Sequence, residues 1–275
     1  VVQAEPQASD GDVDEFADHV AGVLHRFPGT RLVVYPELHL FGDDARVRGL
    51  AEPLTGPRIA ALTELAASLN VWLVPGSVCE LAPDGGLYNT AVACSPDGTL
   101  VAAYRKCFPW RPYEKFLPGN EFVVFDVPDI GRAGLSICYD TWFPEVTRQL
   151  AWQGAEFVIT PTRTTTSDRA QEIVLTRANA IVNQIYVLSA NAAAPGVGQS
   201  LIADPEGRER VSAGRAAEVL TDVIDLDDVT RVRTYGTAGL NRMWSQFTDG
   251  DVDLELPVYQ GRISPDRWTP ERRDA

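Results

Sequence analysis

Ala133-Gly134-Leu135-Ser136-Ile137-Cys138-Tyr139-Asp140-Thr141-Trp142-Phe143-Pro144-Glu145 decides how this chain folds. Its first six residues form a short apolar run of the kind that makes a buried strand. Pro144 and Glu145 suit the first turn of a helix, where a missing N–H is harmless and an acidic charge meets the positive helix end. A buried strand therefore delivers Cys138 into the turn before a helix, the position of a nucleophile elbow carrying sulfur. A lone cysteine at a strand end is by default an inert small hydrophobe, and the same holds for Cys79, Cys94 and Cys107.

Similar apolar, β-branched runs recur on both sides, at 31–35, 71–75, 89–94, 100–104, 121–127, 156–160, 186–190 and 218–224. Gly, Pro, Asp or Asn bound most of them, so they read as short buried strands. Between several lie stretches with apolar residues three and four apart. Phe16, Val20, Val23, Leu24 and Phe27 mark a helix over 14–27, and Ile59, Leu62, Leu65, Ala66 and Leu69 mark one over 57–69. Helices over 143–152 and 168–183 complete the set, the last presenting Ile173, Val174, Arg177, Ala178 and Ile181 as its face. Asp84-Gly85-Gly86 and Asp97-Gly98 predict hairpin turns within this alternation. The expected fold is α/β, one domain over 1–275, with 249–275 as a C-terminal arm rich in Pro, charge and aromatics.

The chain has 275 residues, with 38 acidic against 24 basic side chains and a formal charge of −14. Its apolar share of 45% and charged share of 23% exclude a largely disordered chain. No apolar run approaches the roughly 18 residues of a membrane helix, so no membrane partner is expected. Nucleic-acid binding needs clustered Lys and Arg, and the acidity argues against it. The four cysteines contain no C-x-x-C pair, and His19, His25 and His39 lie far upstream of the later ones. No zinc site, no other metal and no organic cofactor is expected. Free thiols and the absence of a signal-like start at Val1-Val2-Gln3 point to the cytoplasm.

There is no P-loop, no complete dinucleotide fingerprint and no G-x-S-x-G elbow. A Cys–His couple is open only through the three early histidines. Two other strand ends carry chemistry. Leu32-Val33-Val34-Tyr35-Pro36-Glu37 ends a buried strand on a carboxylate, aimed where α/β folds place ligands. Tyr104-Arg105-Lys106 ends another in a basic pair, followed by a stiff loop rich in Pro and aromatics up to Gly119. A thiol attacks only as thiolate and needs a base, which a carboxylate can be, while a lysine stabilises the resulting oxyanion. Glu37, Lys106 and Cys138 together supply base, cation and nucleophile without a histidine.

Pro-Glu after the early strand, Tyr-Arg-Lys in the middle and Ile-Cys-Tyr-Asp-x-x-Phe-Pro-Glu after it resemble the nitrilase superfamily of carbon–nitrogen hydrolases over nearly the whole chain. The resemblance implies a four-layer α-β-β-α sandwich, paired through its sheet-flanking helices into a homodimer or larger homo-oligomer. It makes Glu37 the general base, Lys106 the catalytic lysine and Cys138 the nucleophile. Glu114, ahead of a Phe-x-Pro-Gly stretch, corresponds to the second glutamate that orients substrate, lysine and water.

The segment from Lys106 to Glu114, with its Pro-Trp-x-Pro arrangement, is similar to the loop of aliphatic amidases and formamidases. Their long C-terminal extension has no counterpart in these residues. Cys138-Tyr139-Asp140-Thr141-Trp142 departs both from the Cys-Asp-Asp of those aliphatic amidases and from the Cys-Trp-Glu of true nitrilases. Thr141 and Trp142 are not the basic residues that carbamoyl hydrolases place there, although Arg111 or Arg163 offers a more distant cation. Tyr139, Trp142, Trp110, Tyr113 and Phe41 are candidates for an aromatic, uncharged acyl pocket or for core. Asn191 falls near the site with no role assigned.

The expected activity is hydrolysis of a small or medium uncharged primary amide to acid and ammonia through a cysteine thioester. The alternatives are an N-carbamoyl amino acid or amine amidohydrolase, or a nitrilase. Outside enzymes, they are a thiol redox sensor or a silent assembly module.

Overall fold

The computed structural model describes residues 1–7, 13–42 and 47–248. The chain divides into two compact units, Val1–Thr230 and Arg231–Ala275. In chain order the elements are β1 (Val2–Gln3), α1 (Val13–Arg26), β2 (Leu32–Val34), α2 (Pro57–Ser68), β3 (Trp72–Val74), β4 (Ser77–Leu81), β5 (Leu87–Cys94) and β6 (Leu100–Arg105). Then follow β7 (Val124–Val127), β8 (Gly131–Leu135), α3 (Pro144–Trp152), β9 (Phe157–Thr162), α4 (Arg169–Asn183), β10 (Tyr186–Asn191), β11 (Leu201–Ala203), β12 (Glu209–Ser212), β13 (Glu218–Val219), α5 (Asp227–Tyr235) and α6 (Met243–Thr248). The expected arm over 249–275 lies outside the described residues.

The first unit holds two main sheets. One runs β2-β3-β5-β4 with β6 on β5; the other runs β12-β11-β10-β9-β8-β7. Strand alternation sorts the first sheet's side chains into two cores, because successive residues face opposite ways. Val33, Leu73, Val92 and Cys94 pack with Phe16, Val20 and Val23 of α1 and Ile59, Leu62 and Leu65 of α2. Val34, Val74, Ala91, Ala93 and Tyr104 face the second sheet, meeting Leu135, Ile137, Phe157, Ile159 and Leu188. Helices α3 and α4 cover the far side of that sheet against β8 and β10. At Gly134 a Cβ would stand 3.2 Å from Leu150, so its lack of a side chain admits α3 close to β8. The layers are thus helix, sheet, sheet, helix, as expected. Among the described residues no helix is long and apolar enough to cross a membrane.

The helix starts follow their sequence signals, with Asp14 and Glu15 in the first turn of α1 and Pro57 and Pro144 opening α2 and α3. Both Asp-Gly turns join antiparallel neighbours, with Gly85 and Gly98 at φ +81°. Three expectations need correction. The run at 218–224 pairs over only two residues, against β1. The sequence reading contains no strand at β1, β4, β11 or β12 and no helix at α5 or α6; β12 is a mostly exposed edge with no apolar run. Helix α4 faces the other way: it buries Arg169, Glu172, Thr176, Asn179, Ala180 and Asn183, leaving Val174 64% and Ile181 48% exposed. Its polar residues turn inward because partners await them there, which periodicity of apolar residues does not register.

The ends of β2, β6, β8, β9 and β10 gather at one edge of the sandwich. Gly76, between β3 and β4, supports the first of them. It sits at φ +95°, and a Cβ there would lie 1.7 Å from the carbonyl oxygen of Pro36. Next to it the Ser77 hydroxyl accepts a hydrogen bond from the N–H of Leu38, itself at φ +48°. Gly76→Ala is expected to destabilise the fold by about 2 kcal/mol or more, since strain and a backbone clash coincide. Urea unfolding with an unchanged m-value checks this; a midpoint equal to wild type would refute it.

Candidate active site

Glu37 follows β2, Lys106 follows β6 and Cys138 follows β8, and the three line one cavity with Glu114. Cys138 has φ +46°, a left-handed turn that a non-glycine residue adopts only under constraint. That constraint is Asp140, fully buried, whose carboxylate accepts from the Ile137 N–H (2.9 Å), the Phe108 N–H (2.9 Å) and the Tyr104 hydroxyl (2.8 Å). The first bond closes the elbow on itself; the other two tie it to the strand and loop that carry Lys106.

Lys106 is 1% exposed and donates to Glu37 Oε1 at 2.9 Å and to Glu114 Oε1 at 2.8 Å. Burial alone depresses an ammonium, but the charges of Glu37 and Glu114 and the hydrogen bond to Glu114 outweigh it and hold Lys106 above the ordinary lysine value. Asn89, from mid-β5, donates to the same Glu37 oxygen at 2.7 Å. Glu114 Oε2 accepts the Trp110 N–H at 2.6 Å. Burial, and then the charge of Glu37, raise the Glu114 carboxyl. Burial and Glu37 likewise push the Cys138 thiol well above its usual value, against the pull of Lys106 and a hydrogen bond from the backbone of Arg163. The resting sulfur is therefore a thiol with a carboxylate close by, which is the arrangement a base-assisted attack requires.

The cavity measures about 60 Å³ and is further lined by Trp110, Tyr139, Arg163, Thr164, Thr165, Thr166, Asp168 and Glu172. A larger cavity of about 290 Å³ opens where β2, β3 and β9 begin, at the opposite end of the strands. Its walls are mainly apolar and carry no cysteine, lysine or glutamate, so it lacks the chemistry.

The pattern of the carbon-nitrogen hydrolase family matches residues 1–234. The chain belongs to that family. A formamidase of Bacillus cereus (strain B4264) is 34% identical over 194 residues, a match covering 67% of this chain and 58% of that protein. The crystal structure of Saccharomyces cerevisiae Nit3, a member of branch 10 of the nitrilase superfamily, has TM-score 0.79 and 26% identity over 88% of this chain and 95% of its own. NitN amidase from Nesterenkonia sp. AN1 has TM-score 0.72 and 26% identity, over 88% of this chain and 97% of its own. A variant of that amidase carries acrylamide added at its active-site cysteine.

Within this carbon–nitrogen hydrolase, the expected aromatic pocket divides. Trp110 and Tyr139 line the cavity. The Phe41 ring does not, being fully buried in the core beneath α1 and α2, with the Arg58 guanidinium 4.9 Å from its centroid. Tyr113 is 67% exposed and packs on the outer side of Trp110 at 4.3 Å. Trp142 lies behind Tyr139, 6.2 Å between centroids, and is not among the lining residues. No histidine lines the cavity; His19 and His39 pack around Tyr35 on the α1 side of the first sheet, which removes the Cys–His couple. Nor does a second cysteine line it, so a resolving thiol is lacking there.

Asn89, Asp140, Thr164 and Glu172 are the site residues that sequence reasoning missed. Asn89 had a signal, as a polar residue opening an apolar strand run. Asn191 accepts the Thr164 N–H at 2.8 Å and so fixes the cavity wall.

Asp140→Asn must leave one of its backbone N–H donors facing an amide N–H, at a cost of about 1–3 kcal/mol. Burial, first among its causes, raises the Asp140 carboxyl from 3.8 to about 6. A raised folded-state value means wild-type stability from this group is full below about pH 4 and lost as pH rises through 6, by about 3 kcal/mol. The asparagine variant cannot ionise and escapes that loss. Its deficit relative to wild type, measured by urea unfolding, is expected to be larger at pH 4 than at pH 8. An equal or opposite deficit would overturn the assignment.

Proposed function

We propose that the chain is an amidase that hydrolyses small, uncharged primary amides to carboxylic acid and ammonia. The observation carrying this reading is the buried Glu37–Lys106–Glu114 array beside the Cys138 elbow in a cavity of about 60 Å³. That volume is far below the roughly 300–1,000 Å³ of drug-sized ligand sites, which favours a short acyl group. Arg163 reaches the wall, but its guanidinium donates to the carbonyls of Phe41 (2.9 Å) and Gly42 (3.2 Å). Arg111 is exposed and bonds the carbonyls of Glu114 and Phe116 in its own loop. Neither is offered to a substrate carboxylate, so the amide reading stands ahead of the carbamoyl one. The formamidase and amidase relatives support amide chemistry.

In the proposed reaction Glu37 takes the Cys138 proton as sulfur attacks the amide carbonyl carbon. The carbonyl π electrons move to oxygen, held by the Lys106 ammonium and the Tyr139 N–H. Collapse breaks the C–N bond, and Glu37 passes its proton to the departing nitrogen, which leaves as ammonia. Water, oriented with help from Glu114, gives a proton to Glu37 and attacks the thioester. The C–S bond then breaks and the acid departs as sulfur recovers the proton. Lys106 stays charged throughout, as its raised value requires.

The family match supports reading residues 1–234 as one hydrolase domain. Trp152 of α3 and Val174, Ile181 and Val182 of α4 are large apolar side chains left exposed on the outer helix layer. A homodimer through this layer explains why α4 turns them outward. Val174→Lys is expected to halve the mass measured by light scattering; an unchanged mass would remove this face from the assembly.

The decisive test is ammonia release from a panel of aliphatic and aromatic amides, N-carbamoyl amino acids and nitriles. Small amides are expected to turn over, and Cys138→Ala to lose several orders of magnitude in kcat/KM, since such groups act as a unit. A panel silent for wild type, or a variant at wild-type rate, would overturn the reaction or the nucleophile respectively.

A further inference from the structure

Cys138 has a further polar neighbour, supplied by the segment after β9. Its Sγ lies 3.9 Å from the hydroxyl of Thr164, within hydrogen-bond reach for sulfur. That hydroxyl donates to Glu172 Oε2 at 2.6 Å. Glu172, 4% exposed, lines the same cavity from α4. It pairs with Arg169, 2% exposed, at 3.1 Å; Arg169 is held in turn by Ser189 Oγ (3.0 Å) and the Gln199 carbonyl (2.9 Å). Thr164 itself cannot drift. Its N–H is held by Asn191, and its carbonyl accepts from the Val197 N–H at 3.0 Å. A row of buried groups therefore runs from Arg169 through Glu172 and Thr164 to the nucleophile.

The direction of the hydrogen bonds in this row is set by chemistry. A carboxylate only accepts, so the Thr164 proton must point at Glu172. What the hydroxyl then presents to the sulfur is a lone pair. A thiol S–H can donate to it; a thiolate would face oxygen lone pairs with nothing to accept. We propose that Thr164 and Glu172 are positioning residues that keep Cys138 protonated and in one rotamer until substrate arrives and Glu37 takes the proton.

The charged groups around the sulfur are Glu37 and Lys106 from the first sheet, Glu114 from the loop after β6, Arg163 after β9, and Asp168, Arg169 and Glu172 at the start of α4. Neutralising Glu172 removes one anion and leaves Arg169 uncompensated. Both changes favour thiolate. The test is the rate of iodoacetamide alkylation at Cys138, located by peptide mass, as a function of pH. Glu172→Gln is expected to alkylate about tenfold faster than wild type at pH 7, its profile displaced by about one pH unit to the acid side. Thr164→Val, of equal shape, is expected to move the same way, and Thr164→Ser to restore the wild-type profile. A profile unchanged in Thr164→Val, or slower alkylation at every pH in Glu172→Gln, overturns the proposal; the second would make Glu172 a base. If Glu172→Gln does not fold, the two Thr164 variants decide alone. The inference rests on Cys138 being the nucleophile. Alkylation needs no turnover, however, so a silent amide panel with a displaced profile would sink the amidase reading and leave this one standing.

Discussion

A lysine ammonium with 1% exposure is the constraint on which the rest depends. Removing such a charge from water costs several kcal/mol, and breaking a buried pair costs about 3–5 kcal/mol. Lys106 is tenable only because Glu37 and Glu114 meet it from either side, 2.9 and 2.8 Å away. Two carboxylates against one ammonium leave an excess negative charge, and that excess sits beside the Cys138 thiol. Burial first, and then the charge of Glu37, hold the sulfur neutral. A nucleophile kept protonated next to a carboxylate needs only a substrate-induced proton transfer to become reactive, with no histidine.

Placing these groups together is work done by the two mixed sheets and the junctions after their strands. Glu37 comes from the first sheet and Cys138 from the second, so their separation depends on how the sheets pack. Alanines at positions 91, 93 and 102 keep that interface thin. Asp140 then bridges it with polar bonds, joining the elbow after β8 to Tyr104 of β6 and to the loop beginning at Phe108. The hydrophobic layer sets the distance between the sheets, and the buried carboxylate sets the register of the site within it.

Much of this is legible in the amino-acid sequence. Glu37, Lys106 and Cys138 each close an apolar run, and a strand end is a position that one-dimensional pattern reveals. Glu114 followed only from resemblance, because nothing local distinguishes it from a solvated loop glutamate. Asn89, Asp140, Thr164 and Glu172 stayed hidden for a different reason. Asn89 meets Glu37 across 52 residues of chain, and Thr164 meets Cys138 across 26. Such pairs exist only once sheet order and register are known. The aromatic pocket failed in part because a ring's size suits core and cavity alike: Phe41 went to the core and Tyr113 to the surface.

Helix α4 shows how function and assembly can invert an amphipathic pattern. An isolated helix with Ile173, Val174 and Ile181 would turn them toward its own core. Here the inner face is instead polar, because Glu172 and Arg169 serve the site and Asn179 donates to the Thr141 carbonyl at 3.1 Å, bracing the elbow from behind. Buried polar groups are tolerable when each finds a partner, and most of these do. The apolar residues displaced by that choice must go outward, where water disfavours them unless another surface covers them. The buried polar face on one side of the helix thereby leaves apolar side chains on the other. The proposed dimer uses the outer face of the helix whose inner face carries Glu172 and Arg169.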